Sequence, residues 1–215
     1  MHRGNDRKIF FWSDLHLCHE KDFILEPRGF ACGKSAKESL RNRWNDKITN
    51  NDTIFLLGDN IVGAGPNGKN ELKDFLHSVN FRTVFLMPGN HPSGFSALLD
   101  ECFERKENAD EFLTFRYDLT SEKMILLIPN YFELSVDHQL IIMSHYPLLS
   151  WNKMGKGAWM LYGHVHDNLK KTPWIRDNYF KGKNIDLSVE ATPEPLEFAE
   201  IQKIMNQKSK KLPSF

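Results

Sequence analysis

The chain is poor in cysteine: Cys18, Cys32 and Cys102 are the only three in 215 residues, an odd number with no paired spacing. That argues against a disulfide framework. Long apolar runs are also missing. The longest, Met124 to Ile128 and Ala158 to Tyr162, have five residues, whereas a membrane-spanning helix needs about 20. Net charge is absent too, with 28 Lys plus Arg against 28 Asp plus Glu, so no overall positive field draws the protein to nucleic acid or anionic lipid. A local basic face still leaves nucleic acid open as a partner. The N-terminus carries Arg3, Arg7 and Lys8, but Ile9-Phe10-Phe11-Trp12 is too short for a signal-peptide core and runs into Ser13-Asp14. No internal repeat or low-complexity linker interrupts the chain. These absences leave a soluble cytoplasmic protein as the expectation. What is present is globular composition: 40% hydrophobic, 12% aromatic and 26% charged residues. The length suits one domain over residues 1–215.

The first half alternates strand and helix patterns. Lys8 to Ser13, Thr53 to Leu57 and Phe81 to Met87 read as buried strands. Between them, Ser35 and Glu38 form a capping box before Leu40, Trp44 and Ile48 recur on one helical face. Asn70 stands where it can cap a helix striped by Leu72, Phe75, Leu76 and Val79. This βαβαβ succession predicts an α/β fold with a parallel sheet and right-handed crossovers. The second half is strand-like over Met124–Ile128, Tyr131–Val136, Gln139–Ser144, Ala158–Tyr162 and Asn184–Val189. Asp137-His138 reads as a hairpin turn, although neither is glycine. Pro195 to Asn206 reads as a terminal helix with proline near its start.

Five of the apolar strands run directly into residues able to bind a metal. They lead to Asp14-Leu15-His16, Gly58-Asp59-Asn60, Gly89-Asn90-His91, Ser144-His145 and Gly163-His164-Val165-His166. Ligands of open α/β sheets bind at the carboxyl ends of the strands, which places all five groups on one rim. Asp, Asn and His supply oxygen and imidazole nitrogen, a donor set suited to Mn, Fe, Zn or Ni. Two residues apart on a strand end, Asp14 and His16 can grip one ion, and so can His164 and His166. Taken singly, each fragment has an ordinary explanation: a capping Asp beside a surface His, a Gly-Asp turn, a loop punctuated by Gly and Pro. Five in series, each after a strand, do not.

In that order the fragments resemble the calcineurin-like metallophosphoesterase superfamily, whose series runs D-x-H, G-D-x, G-N-H, H and G-H-x-H. The match spans Asp14 to His166 and is similar to the small stand-alone phosphoesterases of bacteria and phages. Those proteins often carry a His-Glu or His-Asn step and an Arg-Pro-Phe, comparable to His19-Glu20 and Arg28-Gly29-Phe30 here. The resemblance implies two packed mixed β-sheets flanked by helices, an αββα sandwich. It implies a dinuclear centre of two divalent ions, with Asp14, His16 and His166 on one, Asn90, His145 and His164 on the other, and Asp59 bridging. His91 would be catalytic beside the metals. The implied activity is phosphoester hydrolysis by a bridging hydroxide, on a small or nucleotide-like diester, with monoesterase, nuclease and silent binding module as rivals. Arg28 is a candidate phosphate clamp, and Asn60 a candidate substrate contact. Three departures stand out. Pro92 replaces the acidic residue that many relatives place after G-N-H, and Asn60 follows Gly58-Asp59 where protein phosphatases continue Asp-Arg-Gly. Gly63 to Asn70 nearly spells a phosphate-binding loop but ends in Asn and lacks a preceding strand.

Overall fold

The structure, a computed structural model, describes residues 7–62, 67–91, 93–104, 115–178 and 181–209. In chain order the elements are β1 (Ile9–Trp12), α1 (Asp22–Leu25), α2 (Gly33–Lys47), β2 (Thr53–Leu56), α3 (Gly68–Ser78), β3 (Thr83–Leu86) and α4 (Ser93–Glu104). There follow β4 (Phe115–Asp118), β5 (Met124–Leu127), β6 (Tyr131–Val136), β7 (Gln139–Ser144), β8 (Trp159–Tyr162), α5 (Pro173–Asn178), β9 (Asn184–Asp186), β10 (Leu196–Glu197) and α6 (Phe198–Asn206).

The strands form two mixed sheets, ordered β10-β1-β2-β3-β5-β4 and β6-β7-β8-β9. Strands β1, β2, β3 and β5 are parallel and unstaggered, with Trp12 level with Leu56, Leu56 with Leu86 and Leu86 with Leu127. Because the register is even, the loops after these strands leave the sheet at one level.

Alternation along the strands sends side chains to both faces. Phe10, Trp12, Ile54, Leu56, Val84 and Leu86 meet Leu40 and Trp44 of α2 and Leu72, Phe75 and Leu76 of α3. Phe11 and Phe55 point the other way and pack with Ile141, Met143, Trp159 and Leu161 of the second sheet. The rings of Phe11, Phe55 and Phe85 stack in sequence at 5.3 and 4.3 Å, filling the space between the sheets. This is the expected sandwich. Its second outer layer is thin among the described residues: Trp151, Met154 and Ala158 cover Ile142 and Met160 from short turns rather than a long helix.

Several boundaries differ from expectation for local reasons. Helix α2 starts at Gly33, with Cys32 as its N-cap and Ser35 at N3, where the Ser35 hydroxyl accepts from the Cys32 amide at 3.2 Å. Glu20 accepts from the Gly33 amide at 3.0 Å, so the His19-Glu20 step anchors this helix start. Helix α3 likewise begins at Gly68, before Asn70. The terminal helix begins at Phe198; Leu196 and Glu197 pair antiparallel with β1 instead, and Glu197 and Glu200 form the capping box. Pro195 precedes this short edge strand, where no ladder amide is required of it. Asp137 and His138 do turn the β6–β7 hairpin, both in the left-handed region at φ 48° and 65°. Residues 63–66, half of the near-phosphate-loop stretch, and Pro92 lie outside the described residues.

Candidate metal centre

The rim is assembled by backbone bonds between the loops. The Asp14 amide donates to the Gly58 carbonyl at 3.2 Å, and the His16 amide to the Asp59 carbonyl at 3.0 Å. Ser13 bridges to Ser188, joining the first sheet to the chain beyond β9 of the second. Asp14, His16, Asp59, His164 and His166 all have left-handed backbone, with φ between 44° and 68°. Non-glycine residues in that region store strain, and such strain gathers at functional sites. Two glycines permit the close approach. A Cβ at Gly163 would lie 2.1 Å from Asp14 Oδ2, and one at Gly89 would lie 2.0 Å from Asp59 Oδ1.

Two groups of side chains face each other there. Asp14, His16 and His166 offer ligand atoms within 4.8 Å of one another, as do Asp59, His145 and His164. In the first group, His166 Nε2 is 3.5 Å and His16 Nε2 3.8 Å from Asp14 Oδ1. In the second, the Asn90 side-chain oxygen lies 2.9 Å from His145 Nε2 and 2.8 Å from His164 Nδ1. Asp59 stands between them: its Oδ2 is 3.9 Å from His16 Nε2 and 3.5 Å from His145 Nε2.

Hydrogen bonding leaves some of these atoms without a partner. Ser13 Oγ and the His164 amide both donate to Asp14 Oδ2, at 2.6 and 2.9 Å, while Asp14 Oδ1 is buried without a partner. His16 Nε2 is equally buried and unpartnered. The His145 Nδ1–H donates to the Leu57 carbonyl at 2.8 Å, which leaves Nε2 as the ring nitrogen that faces the oxygens of Asn90 and Asp59. Buried polar atoms without partners are costly. Converging ligand atoms of this kind fit a cation at each group.

Titration behaviour follows the same geometry. Burial lowers the His16 pKa, against the pull of Asp14. Burial works in the same direction at His145, but the carboxylates of Asp59 and Asp14 outweigh it and its pKa is raised. For Asp59, burial is outweighed by hydrogen bonds and charge from His145 and by the His91 amide, giving a pKa of about 2. Asp59 is therefore a carboxylate, not a carboxylic acid, at neutral pH.

Some residues do not stand where the sequence suggested. Arg28 is no open phosphate clamp: its side chain is 1% exposed. NH1 and NH2 donate to the carbonyls of Leu15 and Asp14 at 2.9 and 2.8 Å, and Nε donates to Glu190 at 2.9 Å. Asn60 is buried with its Oδ1 enclosed and lines a small cavity together with Asp59, Gly89 and His91. His91 is exposed beside the rim, its ring 5.9 Å from that of His16 and its amide donating to Asp59 Oδ1 at 2.8 Å. His77 and His138 lie at the exposed surface, away from these groups.

Other residues at the site were not foreseen. Glu190 accepts from His166 Nδ1 at 2.8 Å. The strand-then-ligand rule, applied to the predicted strand ending at Val189, would have found it. His19 packs edge-on against His16 at 5.5 Å, and exposed Phe23 packs edge-on against His19 at 5.3 Å. Tyr146 packs edge-on against His164 at 4.6 Å. Trp151 and Trp159 are buried in the two cores that flank the second sheet, away from the pocket wall, whereas Trp174 is exposed.

A two-sheet sandwich that brings buried carboxylates and imidazoles together at the ends of its parallel strands defines a metal-dependent hydrolase of the α/β class. The chain belongs to the calcineurin-like phosphoesterase family, whose model matches residues 7–168, and it is therefore a metallophosphoesterase. It is 26% identical over 185 residues to an uncharacterized protein, MJ1445, of Methanocaldococcus jannaschii, covering 86% of this chain and 82% of that one. It is 21% identical over 208 residues to the Gene 66 protein of Mycobacterium phage L5, covering 92% and 93%. The fold is shared with a protein of unknown function, AQ665, from Aquifex aeolicus, at TM-score 0.60 and 18% identity over 93% of this chain and 100% of that one. Among the described residues, no helix is long and apolar enough to cross a membrane.

Proposed function

We propose that the protein is a phosphodiesterase that holds two divalent cations and acts on small, nucleotide-like diesters. The observation that carries this reading is the place of Asp59, whose Oδ2 lies within 4 Å of a histidine from each ligand group. Asp14, His16 and His166 would hold one cation; Asn90, His145 and His164 would hold the other; Asp59 would serve both. The pair (Mn, Fe, Zn or Ni) supplies Lewis acidity toward the phosphoryl oxygens and a nucleophile at neutral pH. The residues do the rest. Ser13, Leu57 and the His164 amide orient the ligand atoms, while His91 stands at the exposed edge, where a proton can reach the leaving oxygen.

Two features favour a diester over a monoester. A diester has two organic arms, and two exposed rings flank the site: Phe23, 70% exposed, beyond His16, and Tyr146, 43% exposed, beside His164. A dianionic monoester gains more from a guanidinium clamp, and Arg28 is turned into the protein.

With manganese, the protein is expected to bind two ions per chain and to hydrolyse bis(p-nitrophenyl) phosphate faster than p-nitrophenyl phosphate. Preference for the monoester would overturn the diesterase reading, and an inert metal-loaded protein would overturn hydrolysis altogether. Phe23→Ala and Tyr146→Ala are expected to raise KM for aryl or nucleoside diesters about 2- to 10-fold, from a ring contact of about 0.5–1.5 kcal/mol. Neither should change KM for a dialkyl phosphate, and equal KM changes for both substrate types would refute stacking.

A further inference from the structure

Arg28 and Glu190 are 162 residues apart in the chain, yet they form a buried ion pair directly behind the first ligand group. One oxygen, Glu190 Oε1, accepts from both Arg28 Nε at 2.9 Å and His166 Nδ1 at 2.8 Å. A carboxylate can only accept, so a proton sits on His166 Nδ1, and Nε2, 3.5 Å from Asp14 Oδ1, is the ring nitrogen turned toward the ligand group. The other two arms of the guanidinium hold the carbonyls of Asp14 and Leu15. Those carbonyls belong to the loop in which Asp14 and His16 adopt left-handed backbone at φ 56° and 49°. A single planar fork thus ties together the loops that supply Asp14, His16 and His166.

The second ligand group is oriented by other means. His145 is aligned by the Leu57 carbonyl, and Asn90 lies between His145 and His164. Neither involves Arg28 or Glu190. A buried ion pair is weak evidence for stability, since desolvation offsets much of its attraction. Orientation of one metal site is what this pair alone can provide.

We infer that Arg28 and Glu190 are the positioning residues of the Asp14–His16–His166 cation site and leave the Asn90–His145–His164 site untouched. This rests on the two-cation reading above. It would give the motif arginine a structural role in metal binding in place of contact with substrate.

The test is manganese titration of the full chain by calorimetry, with electron paramagnetic resonance as a second readout. Wild-type protein is expected to bind two ions and to show the spin-coupled signal of an adjacent pair. In Glu190→Gln, affinity at one site should fall about 10- to 100-fold, the range typical for partners that orient a metal ligand. The other site should be unchanged, and the signal should become that of an isolated ion. Arg28→Lys, which keeps the charge but not the fork, should lose the same site selectively. If folded variants bind both ions with wild-type affinity, or if both sites weaken equally, the inference fails. If wild-type protein binds no metal, the two-cation reading fails instead. A nitrogen-15 spectrum of metal-free wild-type protein gives an answer independent of any variant: His166 should carry its proton on Nδ1, and a proton on Nε2 alone would refute the role of Glu190.

Discussion

Asp59→Asn should reduce diester hydrolysis more than any other single substitution of similar size. The carboxylate has two tasks that an amide cannot both perform. Its Oδ2 faces His16 on one side and His145 on the other, and its Oδ1 accepts from the His91 amide at 2.8 Å. An amide has one oxygen, so one of the two positions would present an NH2 group. Either orientation fails. With nitrogen at the Oδ2 position, a donor replaces the acceptor between the ligand groups. With nitrogen at the Oδ1 position, a donor meets the His91 amide donor. The negative charge that would balance the cations is lost as well, and Asp59 holds that charge down to a pKa of about 2. Loss of metal affinity should therefore exceed the roughly 10- to 100-fold typical of a partner that only orients a ligand. Calorimetric titration with manganese and hydrolysis of bis(p-nitrophenyl) phosphate measure the two effects separately. Wild-type affinity at both sites in the folded variant would remove Asp59 from the centre.

His91→Ala should show the opposite division, with metal content unchanged and kcat reduced about 10²- to 10⁴-fold, the usual contribution of a general acid. The ring is exposed and 5.9 Å from that of His16, and among the described residues only its backbone amide is hydrogen-bonded. It is therefore free to meet a substrate. The size of the loss should depend on the leaving group. p-Nitrophenolate departs readily without a proton, whereas an alkoxide does not, so the variant should be impaired far more on alkyl than on nitrophenyl leaving groups. An equal loss on both, or loss of bound metal, would assign His91 a different role. The Asp59–His91 contact also offers one answer to the departure at Pro92. The carboxylate that many relatives place after the histidine is absent, and here the His91 backbone is held by Asp59 from the preceding loop.

Much of this site was legible in the sequence because the parallel sheet imposes a rule that local patterns reveal. Each apolar strand must end before water begins, and the polar residues that follow lie at one edge. The even register of β1, β2 and β3 then brings Asp14, Asp59 and Asn90 to that edge together. The hairpin at Asp137-His138 was legible for a similar local reason, since two residues between alternating strands leave few turn geometries. Helix starts were less so. Cys32 displaced Ser35 as the cap because Glu20, from another loop, satisfies the Gly33 amide.

Arg28 shows where the sequence stops. Nothing around Arg28-Gly29-Phe30 distinguishes an arginine facing solvent from one facing a carboxylate 162 residues away. The same holds for Phe23 and Tyr146, whose value depends on the imidazoles they happen to pack against. The sequence by itself determined the donor types, their order and the sheet edge they share, because strand length and apolar alternation are local properties. The tertiary structure alone decided which ligand atoms converge, which charge is buried behind them and which rings stand open. Those depend on side-chain directions set by packing between segments distant in the chain.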